Sequence, residues 1–212
     1  MRSAGFIFLL VSSFAFAGAS ASSVKVEIVK VSKSNKKSGS VDISYPKLVW
    51  LKDKKVLEKI NKQIFEEAKE WTCDDSPRDS EAPSYTVTAK VERADSDVLS
   101  YTLSFDYYCG GAYPEAYQDG RTFDLKTGAK LELSNVLSDA VSISDLAKEV
   151  KKNASVSSDC VDAYSDIENF RFHFDSTGLI VTPDFPHALR GCEQELHIIG
   201  AKLKTFVKPA YR

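Results

Sequence analysis

Three histidines are the side chains whose charge changes most readily near neutral pH, and they lie in different contexts. His173 and His197 fall within alternating apolar segments, which is typical of ordinary strand residues. His187 lies three residues after Asp184 and three before Arg190, so these two charges could set its protonation state in a surface loop. His187 is therefore a candidate contact residue, and a solvated loop histidine is the alternative interpretation.

Motifs of known catalytic chemistry are absent from the sequence. It contains no HExxH, GxSxG, GxxxxGK[ST] or GxGxxG pattern, and Gly110-Gly111 supplies too few glycines to hold a phosphate. A tight turn after a strand accounts for these glycines. The sequence thus predicts a protein that is not an enzyme and needs no cofactor. The alternative is an envelope enzyme that uses carboxylates such as Asp184 or Glu115 as an acid pair.

Four cysteines predict two disulfides in an exported chain, and three pairings are possible. We favour Cys73 with Cys109 and Cys160 with Cys192. Each of these pairs lies within one half of the chain and closes a loop of roughly 30 to 40 residues, worth about 3 to 4 kcal/mol. Wide spacing without a CxxC motif disfavours zinc, and an oxidising compartment disfavours Cys109 as a nucleophile.

An acidic loop follows the first cysteine. Asp74, Asp75, Asp79 and Glu81 could bind calcium, but their spacing does not match the ordered DxDxDG loop. A solvated loop, or a patch for a basic partner, fits this pattern better. No metal site is predicted.

Four tyrosines, Tyr107, Tyr108, Tyr113 and Tyr117, crowd the region around Cys109. Core packing and a partner surface are both compatible with them, since tyrosine on a rigid loop suits protein and glycan contacts. Together with the loop around His187 they give the predicted contact surface: Tyr113, Pro114, Glu115, Tyr117, Phe185, Pro186, His187 and Arg190.

The start of the chain has the pattern of a secretory signal peptide. Arg2 precedes an apolar run of about a dozen residues, too short for the roughly 20 that span a bilayer, and Ala19-Ser20-Ala21 has the small-x-small form of a cleavage site. We therefore expect a secreted or periplasmic protein that begins near Ser22 and is not stably inserted in a membrane. Without Arg2, 27 basic and 30 acidic residues give a net charge of about −3, which argues against nucleic acid as a partner.

Hydrophobic periodicity indicates which elements position these residues. Apolar residues recur every four positions from Val56 to Ala68, which predicts a long amphipathic N-terminal helix from about Lys54 to Lys69. A second, shorter helix is predicted after Ser144 as its cap. Alternation predicts strands at residues 24–28, 41–45, 85–92, 98–107, 118–124, 170–174, 179–181 and 195–199. The predicted fold class is α+β, with antiparallel sheets, the two helices and two disulfides.

Several segments, in this order, resemble a known family of extracytoplasmic domains. The resemblance is carried by Ile43-Ser44-Tyr45-Pro46, Ile60-Asn61-Lys62, Leu99 to Tyr107 with Gly110-Gly111-Ala112, Phe123 to Gly128 with Leu131 and Leu133, Phe174 to Leu179, and Phe185-Pro186 through Gly191. The family comprises the paired domains of unknown function, DUF4163 followed by DUF3298, found in the anti-sigma factor RsiV and before the PdaC-type peptidoglycan deacetylase domain. Tyr113 stands where the family usually has histidine, and the cysteines look like a local addition.

The resemblance implies an extracytoplasmic α+β binding module. Residues 22–115 would form the DUF4163-like part and residues 116–212 the DUF3298-like part, packed as one unit. In the anti-sigma relative the module recognises lysozyme. The leading hypothesis is therefore a non-enzymatic module that binds a lysozyme-like protein or a cell-wall glycan. A peptidoglycan-acting enzyme and a purely structural envelope domain are the alternatives.

Overall fold

A computed structural model describes residues 24–35, 39–73, 83–110, 113–153, 157–164 and 167–212. The predicted signal peptide and the acidic loop of Asp74, Asp75, Asp79 and Glu81 lie outside these residues. None of the helices in the described ranges is long and apolar enough to span a membrane.

The first sheet has five strands in the order of the chain. They are β1 (Val24–Asn35), β2 (Gly39–Leu51), β3 (Ser84–Ala94), β4 (Val98–Tyr108) and β5 (Glu115–Asp124). The β1–β2, β3–β4 and β4–β5 pairs are antiparallel, but β2 and β3 are parallel from Ser40 to Ile43. The expectation of purely antiparallel sheets is therefore wrong for this sheet, which is mixed.

The crossover between the parallel strands is helix α1 (Lys54–Lys69). Parallel neighbours cannot be joined by a hairpin, so a helix carries the chain back across the sheet. Its predicted limits are confirmed, but with 16 residues it is of moderate length rather than long. Asp53 caps its start by accepting from the backbone N–H groups of Lys55 and Val56, and the stripe Val56, Ile60, Ile64 and Ala68 is buried against the sheet.

Two side chains supply hydrogen bonds beyond the short stretch in which β2 and β3 pair directly. The Ser44 hydroxyl donates to the Val87 carbonyl at 3.3 Å and accepts from the Ala89 N–H at 2.8 Å. Further along β2, the Asn61 amide of α1 accepts from the Leu48 N–H and donates to the Leu48 carbonyl, both at 2.8 Å. Asn61 thus acts as a substitute strand partner, because buried backbone groups need hydrogen bonds.

Replacing Asn61 by leucine should lower the free energy of unfolding by about 2 kcal/mol, because both polar groups of the buried Leu48 backbone lose their partner. Urea unfolding followed by circular dichroism measures this loss. Glu58→Leu, at an exposed position of the same helix, is the matched control and should stay within about 0.5 kcal/mol of the parent. Equal losses in both variants would contradict the bridging role.

The second layer holds a three-stranded antiparallel sheet and short helices. Its strands are β6 (Phe170–Phe174), β7 (Gly178–Pro183) and β8 (Leu196–Ile199), in that order. Its helices are α2 (Leu133–Val136), α3 (Ile143–Asn153) and α4 (Gly200–Phe206). Helix α3 is capped by Ser142, not by the predicted Ser144: the Ser142 hydroxyl accepts from the Asp145 N–H at 3.1 Å.

The two layers are in contact where β6 packs against β4 and β5. The buried Ser100 hydroxyl lies 2.9 Å from that of Thr122 and accepts from the Phe174 N–H at 2.7 Å. Beside it, Gly120 lets the backbones approach so closely that an added Cβ would lie 1.9 Å from the Phe172 carbonyl oxygen. A side chain cannot be accommodated at this position.

Both favoured disulfides are present. Cys73 pairs with Cys109, and Cys160 pairs with Cys192. The first joins the segment after α1 to the end of β4. The second joins a 3₁₀ turn (Ser158–Cys160) to the end of another (His187–Cys192). Fold class α+β with two disulfides is therefore confirmed, while the division of the chain at residue 115 stays a prediction.

Candidate binding site between the two sheets

Two segments that are far apart in the sequence meet at the outer edge of β5. Glu115, the first residue of β5, accepts a hydrogen bond from the Arg190 guanidinium at 3.2 Å. Arg190 belongs to the 3₁₀ turn His187–Cys192 and lies 75 residues later in the chain. This ion pair joins the two loops of the predicted contact surface.

Tyr117 is the centre of an aromatic row beside this ion pair. Its ring stacks on Phe105 with 4.7 Å between centroids, and the Arg190 guanidinium lies 4.5 Å from its centroid. Tyr107 meets it edge-on at 6.3 Å and itself stacks on Tyr85 at 4.9 Å. The β4–β5 register produces this row, since Phe105 lies opposite Tyr117 and Tyr107 opposite Glu115.

The hydrogen-bond partners of Glu115 favour the charged form of its carboxylate. The Tyr107 hydroxyl donates to Glu115 at 2.9 Å, and this bond, followed by the one from Arg190, lowers the pKa of Glu115. Burial and the same hydrogen bond raise the pKa of Tyr107 to about 12. At neutral pH the cluster therefore holds one carboxylate, one guanidinium and a neutral phenol.

A cavity of about 220 Å³ lies next to the cluster, between β5 and β6. Arg171 of β6 forms one wall and donates to the Gln118 carbonyl oxygen and to the Glu193 carboxylate, while its Nε lies 3.3 Å from the Asp184 carboxylate. His173 forms another part of the wall, and burial lowers the pKa of its imidazole. The His173 ring is consequently neutral at pH 7.

The predicted contact residues divide into an exposed rim and an anchored base. Tyr113 has 76% of its surface exposed, and Pro114, Pro186 and His187 are also exposed. Glu115, Tyr117 and Arg190 form the partly buried base. Phe185 belongs to neither group: it is 7% exposed and packs edge-on against Tyr164 at 5.2 Å, so it anchors its loop in the core.

Arg171 and Glu193 belong to this site but were missed by sequence reasoning. Alternation places Arg171 opposite the Phe170, Phe172 and Phe174 face of its strand, which was the one signal that could have singled it out. Nothing in the spacing indicated that Glu193 or Gln118 would be its partner.

The described ranges contain no group of residues suited to metal binding or to catalysis by a thiol. There, no three or more His, Cys, Asp or Glu side chains are grouped so that they could hold a metal ion, and all four cysteines are in disulfides. Asp184 and Glu115, the carboxylates considered for acid chemistry, each lie against a guanidinium. Both carboxylates are thus held in ion pairs with arginine.

Comparison with solved structures finds the same fold in proteins of unknown function. A DUF3298 family member from Bacteroides fragilis superposes with a TM-score of 0.63 at 13% identity, covering 89% of this chain and 95% of that one. A DUF3298 family protein from Pseudomonas aeruginosa gives a TM-score of 0.59 at 16% identity, covering 89% and 96%. No family model and no curated protein matches the sequence. At these identities the likeness establishes the fold alone.

Proposed function

We propose that this protein is a non-enzymatic, secreted or periplasmic binding module that recognises a lysozyme-like protein or a cell-wall glycan. The observation that carries the proposal is the convergence of Glu115, Tyr117 and Arg190 beneath the exposed rim of Tyr113, Pro114, Pro186 and His187. Tyrosine and arginine are the residue types that most often dominate the energy of interfaces. Of these two ligands, a lysozyme-like protein is the more specific candidate.

A disulfide lies close in sequence to each of the two segments that form the surface. Cys109 precedes the segment that leads to Tyr113, and Cys192 ends the turn that carries Arg190. Loops that are ordered before binding lose less conformational entropy when a partner arrives. The disulfides also fit an oxidising compartment, which agrees with the signal-peptide pattern of the first 21 residues.

The finer family assignment is part of the same proposal. The DUF3298 fold and the order of the motifs support a DUF4163-like part at residues 22–115 and a DUF3298-like part at residues 116–212, as in the RsiV-like and PdaC-type proteins. The lysozyme-like ligand follows from that likeness together with charge. A mildly acidic chain is steered toward a basic protein by electrostatic attraction.

The surroundings of Glu115 and Asp184 support recognition rather than hydrolysis. A general acid that cleaves a glycosidic bond needs a raised pKa, whereas hydrogen bonds from Tyr107 and Arg190 lower the pKa of Glu115. Asp184 is exposed and lies beside Arg171. Both side chains serve better as partners of arginines than as an acid pair.

Tyr113→Ala and Pro186→Ala should each weaken binding of a lysozyme by about tenfold, because they remove exposed rim contacts without touching the core. Titration calorimetry of the mature chain, residues 22–212, against a panel of lysozymes and soluble peptidoglycan fragments measures this. Ile199→Ala, an exposed apolar position on β8, is the control and should keep parental affinity. Absence of saturable binding across the panel defeats the proposal, and unchanged affinity in both rim variants defeats the site.

A further inference from the structure

Strand β1 forms one edge of the first sheet. It is 12 residues long, pairs with β2 on one side and has no strand on its other side in the described part of the chain. Every second residue of such a strand directs its backbone N–H and C=O outward. A long unpaired edge of this kind is a template for another strand.

A groove of about 460 Å³ runs beside this edge, between helix α1 and the β1–β2 ribbon. Val29 of β1 lies opposite Tyr45 of β2, and both line the groove on the face of the sheet that α1 covers. Phe65 of α1 forms the opposite wall, has 46% of its surface exposed and lies 6.4 Å from the Tyr45 ring. The floor and wall are thus apolar and partly open to solvent.

The charges around the groove are mainly positive. Lys47 and Lys62 are the charged residues of its lining. Strand β1 itself carries Lys25, Lys30 and Lys33 against the single acidic residue Glu27, a net charge of +2 from three lysines and one glutamate. A second copy paired through β1 would bring two such positive strands together, which is unfavourable. An acidic partner is favoured by the same charges.

We propose that β1 accepts an extended acidic peptide segment of another protein as an added strand. Such a strand would lie about 4.8 Å from β1 and hydrogen-bond to its outward backbone groups. Its side chains alternate between the two faces of the sheet, so apolar residues at every second position would enter the groove beside Val29 and Phe65. Acidic residues between them would lie on the other face of the sheet, where alternation from Val29 places Lys30. This surface is separate from the Glu115–Arg190 site.

The test uses the mature chain and three blocked, dye-labelled ten-residue probes. One probe alternates glutamate with valine, the second alternates lysine with valine, and the third is the glutamate probe with N-methyl groups along one edge. Fluorescence anisotropy should show saturable binding of the glutamate probe at least tenfold tighter than that of the other two. Hydrogen exchange of the β1 amides should slow when the glutamate probe binds.

Variants locate the site. Phe65→Ser removes the apolar wall, and Lys30→Glu and Lys62→Glu reverse charges at the edge and in the groove. Phe65→Ser and Lys30→Glu should each weaken binding of the glutamate probe by about tenfold, a loss of roughly 1.4 kcal/mol. Lys62→Glu lies in the groove that takes the valines and should weaken binding less. Lys204→Glu, exposed on α4, is the charge-matched control and should bind like the parent.

Three results overturn the proposal. They are equal binding of the three probes, no binding of the glutamate probe, and a dimer in sedimentation velocity whose β1 amides are already protected without peptide. The last result would assign the edge to a second copy of the chain. Tyr113→Ala should leave binding of the glutamate probe unchanged, which separates this surface from the lysozyme or glycan site.

Discussion

Replacing Gly120 by alanine should lower the free energy of unfolding by about 3 kcal/mol or more. This loss is at or above the top of the usual range for small-to-large changes, because the atom that the new methyl group meets cannot move aside. The new Cβ would lie 1.9 Å from the Phe172 carbonyl oxygen, a backbone atom of β6 that has no rotamer to adopt. The two layers must then separate at this point. The hydrogen bond from the Phe174 N–H to Ser100, which lies in the same junction, would lengthen with them.

Gly191→Ala is the matched control for this experiment. No atom lies within 4 Å of the position that its Cβ would occupy, and its φ is not positive. It should leave stability unchanged or raise it by about 0.4 to 1 kcal/mol through the unfolded chain. Chemical unfolding of both variants measures the difference, and similar stabilities would show that β5 and β6 are not in contact as described.

Removing the Cys160–Cys192 disulfide as the double serine variant should lower the free energy of unfolding by about 3 to 4 kcal/mol, as expected for a closed loop of this length. The two cysteines lie 32 residues apart and connect the turn before β6 to the turn that carries Arg190. Loss of the link should also loosen Arg190 from the Tyr117 ring. Thermal unfolding and the near-ultraviolet dichroism of the tyrosines report these two effects.

The Cys73–Cys109 double serine variant separates the loss of stability from the loosening of Arg190. Its cysteines lie 36 residues apart, so the loss of stability should be similar. The turn that carries Arg190 keeps its own disulfide in this variant, so near-ultraviolet dichroism of the tyrosines should change less than in the Cys160–Cys192 variant. Equal stability of both variants and the parent would contradict the disulfide assignment.

The sequence predicted those parts of the fold that depend on local pattern. Four-residue periodicity placed α1 at its observed limits, and alternation placed strands at residues 85–92 and 98–107, close to the limits of β3 and β4. Cysteine positions favoured the observed disulfides, since a pairing within each half was the simplest. These features depend on neighbours in the chain or on a strong covalent constraint.

Features that depend on contacts between distant parts of the chain could not be predicted from local sequence pattern. Alternation does not distinguish parallel from antiparallel partners, so the β2–β3 pairing was missed. Both loops of the candidate site were singled out by residue type, but the Glu115–Arg190 ion pair joins residues 75 positions apart and left no local signal. Phe185 was included in the predicted contact surface as part of the loop around His187, whereas its side chain packs against Tyr164 in the core.

The Asn61 bridge has a consequence for the order in which the chain assembles. Asn61 and Leu48 are 13 residues apart, whereas the Ser44 to Val87 hydrogen bond spans 43 residues. Closing the shorter loop loses less chain entropy, so the helix can dock on its preceding strand before the centre of the sheet exists. The same asparagine that completes the hydrogen bonding of β2 in the folded protein thus also links the helix to the strand that precedes it over a short loop.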